Sequence, residues 1–226
     1  MRMQRFAIAA TLILSATPFA FAADKAPESK ELPVVFEDSF DKGFEKWEPT
    51  DPVAWKIIEE DGNKILSQFQ VSKYEPTVRS PKNIAWVKDL NVSDFQIDVK
   101  LRQTGKEYGH RDMCVFFGKQ DASHFYYVHM ATKADEHANS IFLVNGEPRV
   151  SIAKERTDGT NWSSGFHHIR ITRNVESGEI AVYFNDMEKP IMKTVDKTFV
   201  TGTVGIGSFD DTGDIDDFTV RGTLVK

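Results

Sequence analysis

The chain has 226 residues, of which 40% are hydrophobic and 27% are charged, a balance typical of a globular protein rather than a disordered one. Its formal net charge of −6 argues against a nucleic-acid-binding protein, because such proteins carry a basic surface. A single cysteine excludes an intramolecular disulfide framework and a cysteine-rich zinc site.

The first 22 residues have the pattern of a secretory signal peptide. Arg2 and Arg5 give a basic start, residues 6–21 are almost wholly apolar or small, and Ala20-Phe21-Ala22 offers a small-x-small cleavage site. An uncleaved membrane anchor is the alternative, but the apolar run is short for a transmembrane helix. We therefore predict export to the periplasm or the extracellular space, with no membrane span after cleavage.

The mature chain is predicted to be one domain, residues 33–226, preceded by a polar tether at residues 23–32. Neither a linker nor a low-complexity run nor an internal repeat interrupts residues 33–226 in the sequence. Because Cys114 is the lone cysteine, the domain is expected to fold without a disulfide even in an oxidising compartment.

Period-two hydrophobic patterns recur along the domain and predict β-strands. In residues 95–102 and 168–173, apolar side chains alternate with polar ones, as in strands with one buried face. Residues 113–117, 125–130 and 140–144 are more continuously apolar, which is typical of central strands covered on both faces.

Turn signals separate these segments. Asn145-Gly146, Ser177-Gly178 and Asp61-Gly62 each lie between two strand-like runs, and such dipeptides favour hairpins. Many short strands with turns at this spacing predict an all-β sandwich or barrel.

Scattered short motifs carry a family resemblance. They are, in chain order, Phe36-Glu-Asp-Ser-Phe40, Gly43, Trp47, Trp55, Gly62-Asn-Lys-Ile-Leu66, Gly165-Phe-His-His-Ile-Arg-Ile-Thr-Arg173, Val182-Tyr-Phe-Asn-Asp186, Gly205-Ile-Gly207 and Asp216-Asp-Phe-Thr-Val220. This order resembles the concanavalin A-like lectin/glucanase superfamily, and within it the LamG-type and 3-keto-disaccharide hydrolase-like (DUF1080) secreted domains. The resemblance implies a jelly-roll sandwich of two antiparallel sheets that handles carbohydrate on a concave face.

One departure from the resemblance concerns catalysis. Glucanases of this fold commonly carry a Glu-x-Asp-x-x-Glu string, whose alternate carboxylates share a strand face and flank a glycosidic bond. This sequence has no such string; the Phe95-Gln-Ile-Asp-Val segment has the aspartate without glutamate partners. A laminarinase-type mechanism is therefore not expected.

The densest group of chemically active side chains lies in residues 107–139, which hold four of the six histidines. A sugar site needs aromatic faces for stacking and fixed polar groups for hydroxyls, and this segment supplies both. The predicted catalytic residues are His110, Arg111, Asp112 and His129. The predicted substrate-binding residues are Tyr108, His124, Tyr127, His137, Asn139, Arg149 and Lys154.

Strand alternation gives these residues an orientation. If Val128 and Met130 belong to the core, Tyr127 and His129 point into the groove. Arg149 adds positive charge suited to an anionic or enolate-like species. The alternatives are plain packing for each tyrosine and, for residues 110–112, a solvated loop with a local ion pair.

No cofactor is predicted to be required, but the sequence offers ligands for two kinds of metal site. The acidic run that follows residue 209 suggests a structural calcium site. Its ligands would be Asp210, Asp211 and Asp216 from this run and Asp38 from the region of the first strand. An acidic turn is the equal alternative. Zinc held by His110, Asp112 and His129 suits the ligand types, but the spacing matches no known zinc site.

Three functions remain open from the sequence. The favoured one is a secreted glycoside hydrolase, including a 3-keto-disaccharide hydrolase, acting on an oligosaccharide or polysaccharide. The second is a non-catalytic carbohydrate-binding module or lectin, and the third is a LamG-like adhesion domain. The crowding of His, Arg and Asp favours the first, whereas the missing carboxylate pair favours the second.

Overall fold

The structure, a computed structural model, describes residues 31–226. The predicted signal peptide and most of the predicted tether lie outside the described residues. Within residues 31–226, no helix is both long enough and apolar enough to cross a membrane.

The described chain forms sixteen strands and one short 3₁₀ helix, Pro52–Ala54. The strands are β1 (Val34–Asp38), β2 (Trp47–Pro49), β3 (Trp55–Glu60), β4 (Asn63–Gln68), β5 (Asn83–Val87), β6 (Val92–Gln103), β7 (Asp112–Asp121), β8 (His124–Ala131), β9 (Ser140–Asn145), β10 (Val150–Ser151), β11 (Glu155–Arg156), β12 (His167–Arg173), β13 (Glu179–Phe184), β14 (Met192–Val195), β15 (Thr203–Ser208) and β16 (Gly213–Leu224).

These strands build two antiparallel sheets. The nine-stranded sheet has the order β11-β14-β13-β12-β6-β16-β4-β3, and β1 pairs with the second half of β16. The seven-stranded sheet has the order β10-β9-β8-β7-β15-β5-β2. The predicted fold class, an all-β jelly-roll sandwich of two antiparallel sheets, is confirmed.

The predicted hairpins form where their turn residues stand. Between β3 and β4, Glu60 pairs with Asn63, and the two turn residues Asp61 and Gly62 have φ angles of 51° and 82°. Positive φ at both central positions is what a tight hairpin turn matching the strand twist requires. Ser177-Gly178 likewise joins β12 to β13, and Asn145-Gly146 opens the connection from β9 to β10.

The main core lies between the two sheets. Alternate side chains of β7 and β8, such as Val115, Tyr126, Val128 and Met130, point into it and are fully buried. Val128 and Met130 belong to the core, which is the condition on which the outward orientation of Tyr127 and His129 depended.

A second apolar cluster lies on the opposite, outer face of the seven-stranded sheet. Its members are Ile84 and Trp86 of β5, Cys114 and Phe116 of β7, Phe125 and Tyr127 of β8, and Phe142 and Val144 of β9. The central strands of this sheet are thus apolar on both faces, which explains the continuous hydrophobic runs in their sequences.

Residues 69–82, here called the covering segment, pass over part of this outer face. The carbonyl oxygen of Arg79 accepts a hydrogen bond from the backbone N of Arg149, and the backbone N of Lys82 donates to the carbonyl oxygen of Phe209. Val78 packs against the apolar cluster. The outer face is consequently divided into an enclosed part and an accessible part.

Candidate functional site

The enclosed part of the outer face holds a polar group, here called the Asp112 cluster: Asp112, Cys114, His129 and Asp211. Asp112 Oδ2 accepts hydrogen bonds from Cys114 Sγ at 2.9 Å and from the backbone N of Phe209 at 2.9 Å. His129 Nε2 lies 3.7 Å from Asp112 Oδ1. The relative exposure of Asp112 is 0% and that of His129 is 3%, so both side chains are shielded from solvent.

Burial controls the ionisation of this cluster. Desolvation raises the pKa of Asp112 and of the Cys114 thiol well above their usual values. For His129, desolvation together with the positive charge of Arg149 lowers the pKa to about 3. At neutral pH the imidazole is therefore uncharged and the cysteine is a thiol, so the cluster has neither a thiolate nucleophile nor a histidine that titrates near pH 7.

Arg149 lies beside this cluster between aromatic rings. Its guanidinium carbon is 4.7 Å from the ring centroid of Phe142 and 4.1 Å from that of Phe209. One of its amino groups, Nη1, donates to the hydroxyl of Tyr127 at 2.6 Å. These contacts fix the Arg149 side chain across the outer face of the sheet, and Tyr127 lies beneath it.

The predicted catalytic residues are brought together only in part. Asp112 and His129 are neighbours on the outer side of the sheet, but they are enclosed and do not line an open groove. His110 is exposed and pairs with Asp135. The guanidinium of Arg111 donates to the carbonyl oxygen of Gly105, so it is committed to its own loop.

The predicted substrate-binding residues are also dispersed. Asn139 is fully buried, where its side chain bonds Thr157 and Thr160. His124 contacts Asp121 at the opposite end of β8 from His129. Tyr108 donates a hydrogen bond to Asp211, and Tyr127 lies under Arg149. His137 is exposed beside Glu136, and Lys154 is exposed between β10 and β11.

The four predicted calcium ligands do not form one site. Both oxygens of Asp38 accept hydrogen bonds, from the backbone N of Phe40 and from Trp47 Nε1. Asp216 likewise accepts from the side chain of Asn63 and from the backbone N of Asp217. Asp210 and Asp211 lie elsewhere, beside Asp112. The alternative zinc set, His110, Asp112 and His129, is divided too, because His110 pairs with Asp135 instead.

The accessible part of the outer face contains a cavity of about 210 Å³, here called the aromatic pocket. Its apolar lining includes Trp86, Phe125 and Tyr74, and its polar lining includes Glu48 and Lys119. Lys119 Nζ lies 4.9 Å from the Trp86 ring centroid. The exposed fraction is 5% for Trp86 and 1% for Phe125, so these two rings form a largely covered floor. The half-buried Tyr74 supplies the accessible aromatic wall beside the amino and carboxyl groups.

Sequence reasoning did not single out the residues of this pocket. Trp86 belongs to a five-residue strand that is buried throughout, and such a strand predicts packing rather than a site. Tyr74 lies on the covering segment, which has no hydrophobic period. The one available signal was a tryptophan next to apolar strand residues, and it does not distinguish a binding face from a core.

Comparison with solved structures bears on the fold. The carbohydrate binding module CBM66 from Bacillus subtilis is 14% identical, with a TM-score of 0.55 over 78% of this chain and 96% of that chain. Peanut lectin is 12% identical, with a TM-score of 0.54 over 84% of this chain and 97% of that chain. These two proteins and this chain share one fold, a sandwich of two sheets.

A third solved structure is larger than this chain. The GH43 BlXynB protein from Bacillus licheniformis is 15% identical, with a TM-score of 0.56, and the match covers 83% of this chain but only 39% of that chain. The sequence matches no family model and no curated protein. At these identities the likeness concerns the fold alone and leaves the activity to be argued from the site.

Proposed function

We propose that the protein binds carbohydrate in the aromatic pocket on the outer face of its seven-stranded sheet. The observation that carries the proposal is the combination of Trp86, Tyr74 and Phe125 with Glu48 and Lys119 around one cavity. The fold agrees, since a carbohydrate binding module and a lectin share it.

Sugar rings suit this lining for a physical reason. A pyranose presents apolar C–H groups on its faces and hydroxyls around its edge, so it needs an aromatic surface and a few fixed donors and acceptors. Lys119 donates, Glu48 accepts, and the hydroxyl of Thr50 also borders the cavity. The volume of about 210 Å³ is below the roughly 300–1,000 Å³ of pockets for drug-sized ligands. The pocket would therefore hold one sugar residue of a longer chain.

The geometry favours binding over hydrolysis. A glycosidase of the usual kind needs two carboxyl groups, roughly 5–9.5 Å apart, on either side of the scissile bond. Among the residues that line the aromatic pocket, Glu48 alone has a carboxyl group. Of the predicted catalytic residues, Asp112 and His129 are enclosed. Hydrolysis of a glycoside, including a 3-keto disaccharide, stays a prediction that the same experiment tests.

The test is a binding and product assay on the purified protein with a panel of oligosaccharides and polysaccharides, including 3-keto disaccharides. We expect binding by calorimetry without product formation by mass spectrometry. Tyr74→Ala removes one aromatic wall and is expected to weaken binding about tenfold, since an aromatic contact contributes roughly 0.5–1.5 kcal/mol beyond its buried area.

The matched control is Tyr183→Ala, because Tyr183 is a half-buried tyrosine on β13 of the other sheet. It should leave the affinity unchanged. Equal losses in both variants would place the ligand elsewhere, and release of products would replace a binding module with a hydrolase. A failure of every sugar to bind or react would refute carbohydrate recognition.

A further inference from the structure

Three carboxyl groups meet where the chain leaves β15 and passes the start of β7. One side-chain oxygen from each of Asp112, Asp210 and Asp211 lies within 4.8 Å of the others. Asp112 is fully buried and Asp211 is 8% exposed, whereas Asp210 is exposed. The group therefore extends from the protein interior to the surface.

Hydrogen bonds fix the orientation of the two inner carboxyl groups. Asp112 Oδ2 accepts from Cys114 Sγ and from the backbone N of Phe209. Asp211 Oδ2 accepts from the backbone N of Asp112 at 3.0 Å and from the Tyr108 hydroxyl at 2.8 Å. In both residues these donors bind Oδ2, which fixes the orientation of the carboxyl group. The other oxygen, Oδ1, accepts none of these hydrogen bonds.

The second oxygen of Asp112 is the decisive observation. Asp112 Oδ1 is buried and has no hydrogen-bond partner among the described residues, and the nearest nitrogen of His129 is too far away, at 3.7 Å, for a good hydrogen bond. Buried polar atoms are nearly always satisfied by a partner, by ordered water or by an ion. The Asp112 carboxyl group therefore has a buried oxygen without a partner and lies within 4.8 Å of carboxyl oxygens of Asp210 and Asp211. This arrangement indicates a positively charged occupant.

The backbone around the group is already ordered. The carbonyl oxygen of Asp211 accepts three hydrogen bonds, from Gln68 Nε2 at 2.7 Å, from Asn83 Nδ2 at 3.0 Å and from Ser208 Oγ at 2.7 Å. The turn that contains Asp210 and Asp211 is thus fixed to β4, β5 and β15. An ion would find its ligands in place and would not have to order a flexible loop.

We propose that Asp112, Asp210 and Asp211 bind a divalent cation of the calcium class. The ligand set is all oxygen, which suits hard cations, and three carboxylates with the solvent-exposed side of Asp210 left for water can supply the six to eight oxygens that Ca²⁺ takes. Mg²⁺ demands near-ideal octahedral geometry, so Ca²⁺ is the preferred ion. This site differs from the calcium set predicted from sequence, because Asp112 replaces Asp38 and Asp216.

The test is calorimetric titration of EDTA-treated full protein with CaCl₂ and with MgCl₂, followed by thermal unfolding with and without CaCl₂. We expect one Ca²⁺ per chain, with a dissociation constant near the roughly 10⁻⁴–10⁻³ M of extracellular calcium modules, a weaker Mg²⁺ response, and a rise of several degrees in melting temperature at saturating Ca²⁺.

Two variants change the site at its exposed end, Asp210, and at its buried end, Asp112. Asp210→Asn changes an exposed ligand and is expected to weaken Ca²⁺ binding at least tenfold. Asp112→Asn keeps an oxygen acceptor for Cys114 and Phe209 and should abolish the calcium-dependent rise in melting temperature. The control, Asp217→Asn, changes an exposed aspartate that pairs with Lys100 on the other sheet, and it should bind Ca²⁺ as the wild type does.

Several results would overturn the proposal. One is the absence of any binding heat and any change in melting temperature in 10 mM CaCl₂, a concentration roughly ten times the weakest expected dissociation constant. Another is an affinity in Asp210→Asn equal to that of Asp217→Asn. Either result would leave a proton shared between Asp112 and Asp211 as the occupant of the group.

Discussion

Replacing Gly207 with alanine is expected to destabilise the protein by about 3 kcal/mol or more, and to lower its melting temperature by roughly 10 °C. Gly207 lies in β15 with a φ angle of +152°, and an added Cβ would stand 1.9 Å from the carbonyl oxygen of Asn83 in the neighbouring strand. Backbone atoms of two paired strands cannot separate by that amount without breaking their hydrogen bonds.

The matched control is Gly165→Ala. Gly165 has no heavy atom within 4 Å of the added Cβ and does not have a positive φ angle, so the change in the free energy of unfolding should be within about 0.5 kcal/mol. Thermal and urea unfolding of both variants measure the difference. Similar melting temperatures for the two would show that β5 and β15 tolerate a wider separation than the structure allows.

The second large effect concerns acid. In the folded protein the pKa of His129 is about 3, whereas an unfolded histidine has a pKa of about 6.5. Between these values the unfolded chain binds the additional proton, so the free energy of unfolding falls as the pH falls. The contribution of His129 is fully present above pH 6.5 and should decrease by about 3 kcal/mol between pH 7 and pH 4.

The backbone N of Asn139 donates a hydrogen bond to His129 Nδ1 at 3.4 Å. His129→Asn removes the titrating group while offering an oxygen that can accept this hydrogen bond. Its unfolding free energy should depend less steeply on pH than that of the wild type, whatever its absolute value. Urea unfolding from pH 4 to pH 7 in EDTA gives both slopes. The control is His137→Asn, because His137 is exposed; parallel curves for wild type and His129→Asn would contradict the assignment.

Local sequence patterns predicted much of the sandwich. The period of two in residues 95–102 and the hairpin dipeptides depend on contacts between near neighbours in sequence, and the strands and turns form where those patterns stand. The same alternation assigned Val128 and Tyr127 to opposite faces of β8, as observed. These features follow from the backbone geometry of a single strand or turn.

The candidate site depended on contacts that no local pattern contains. Asp211 meets Asp112 across 99 residues of sequence, and the covering segment reaches the outer face through irregular backbone. Local alternation correctly directs Tyr127 and His129 outward, but Tyr127 lies beneath Arg149 and His129 lies against Phe209, so both are enclosed instead of exposed. The aromatic pocket was missed because burial of a tryptophan against one sheet face cannot be told from core packing by sequence alone.

The two sheets differ in how their outer faces are filled, and this has a consequence for mutational tolerance. On β6 and β12 the outward side chains, among them Lys100 and His168, are at least partly exposed. On β7 and β8 the outward side chains Cys114, Phe116 and Tyr127 are fully buried. In a library of random substitutions, β6 and β12 of the nine-stranded sheet should accept polar replacements at every second position. Central strands of the seven-stranded sheet should reject them at both kinds of position.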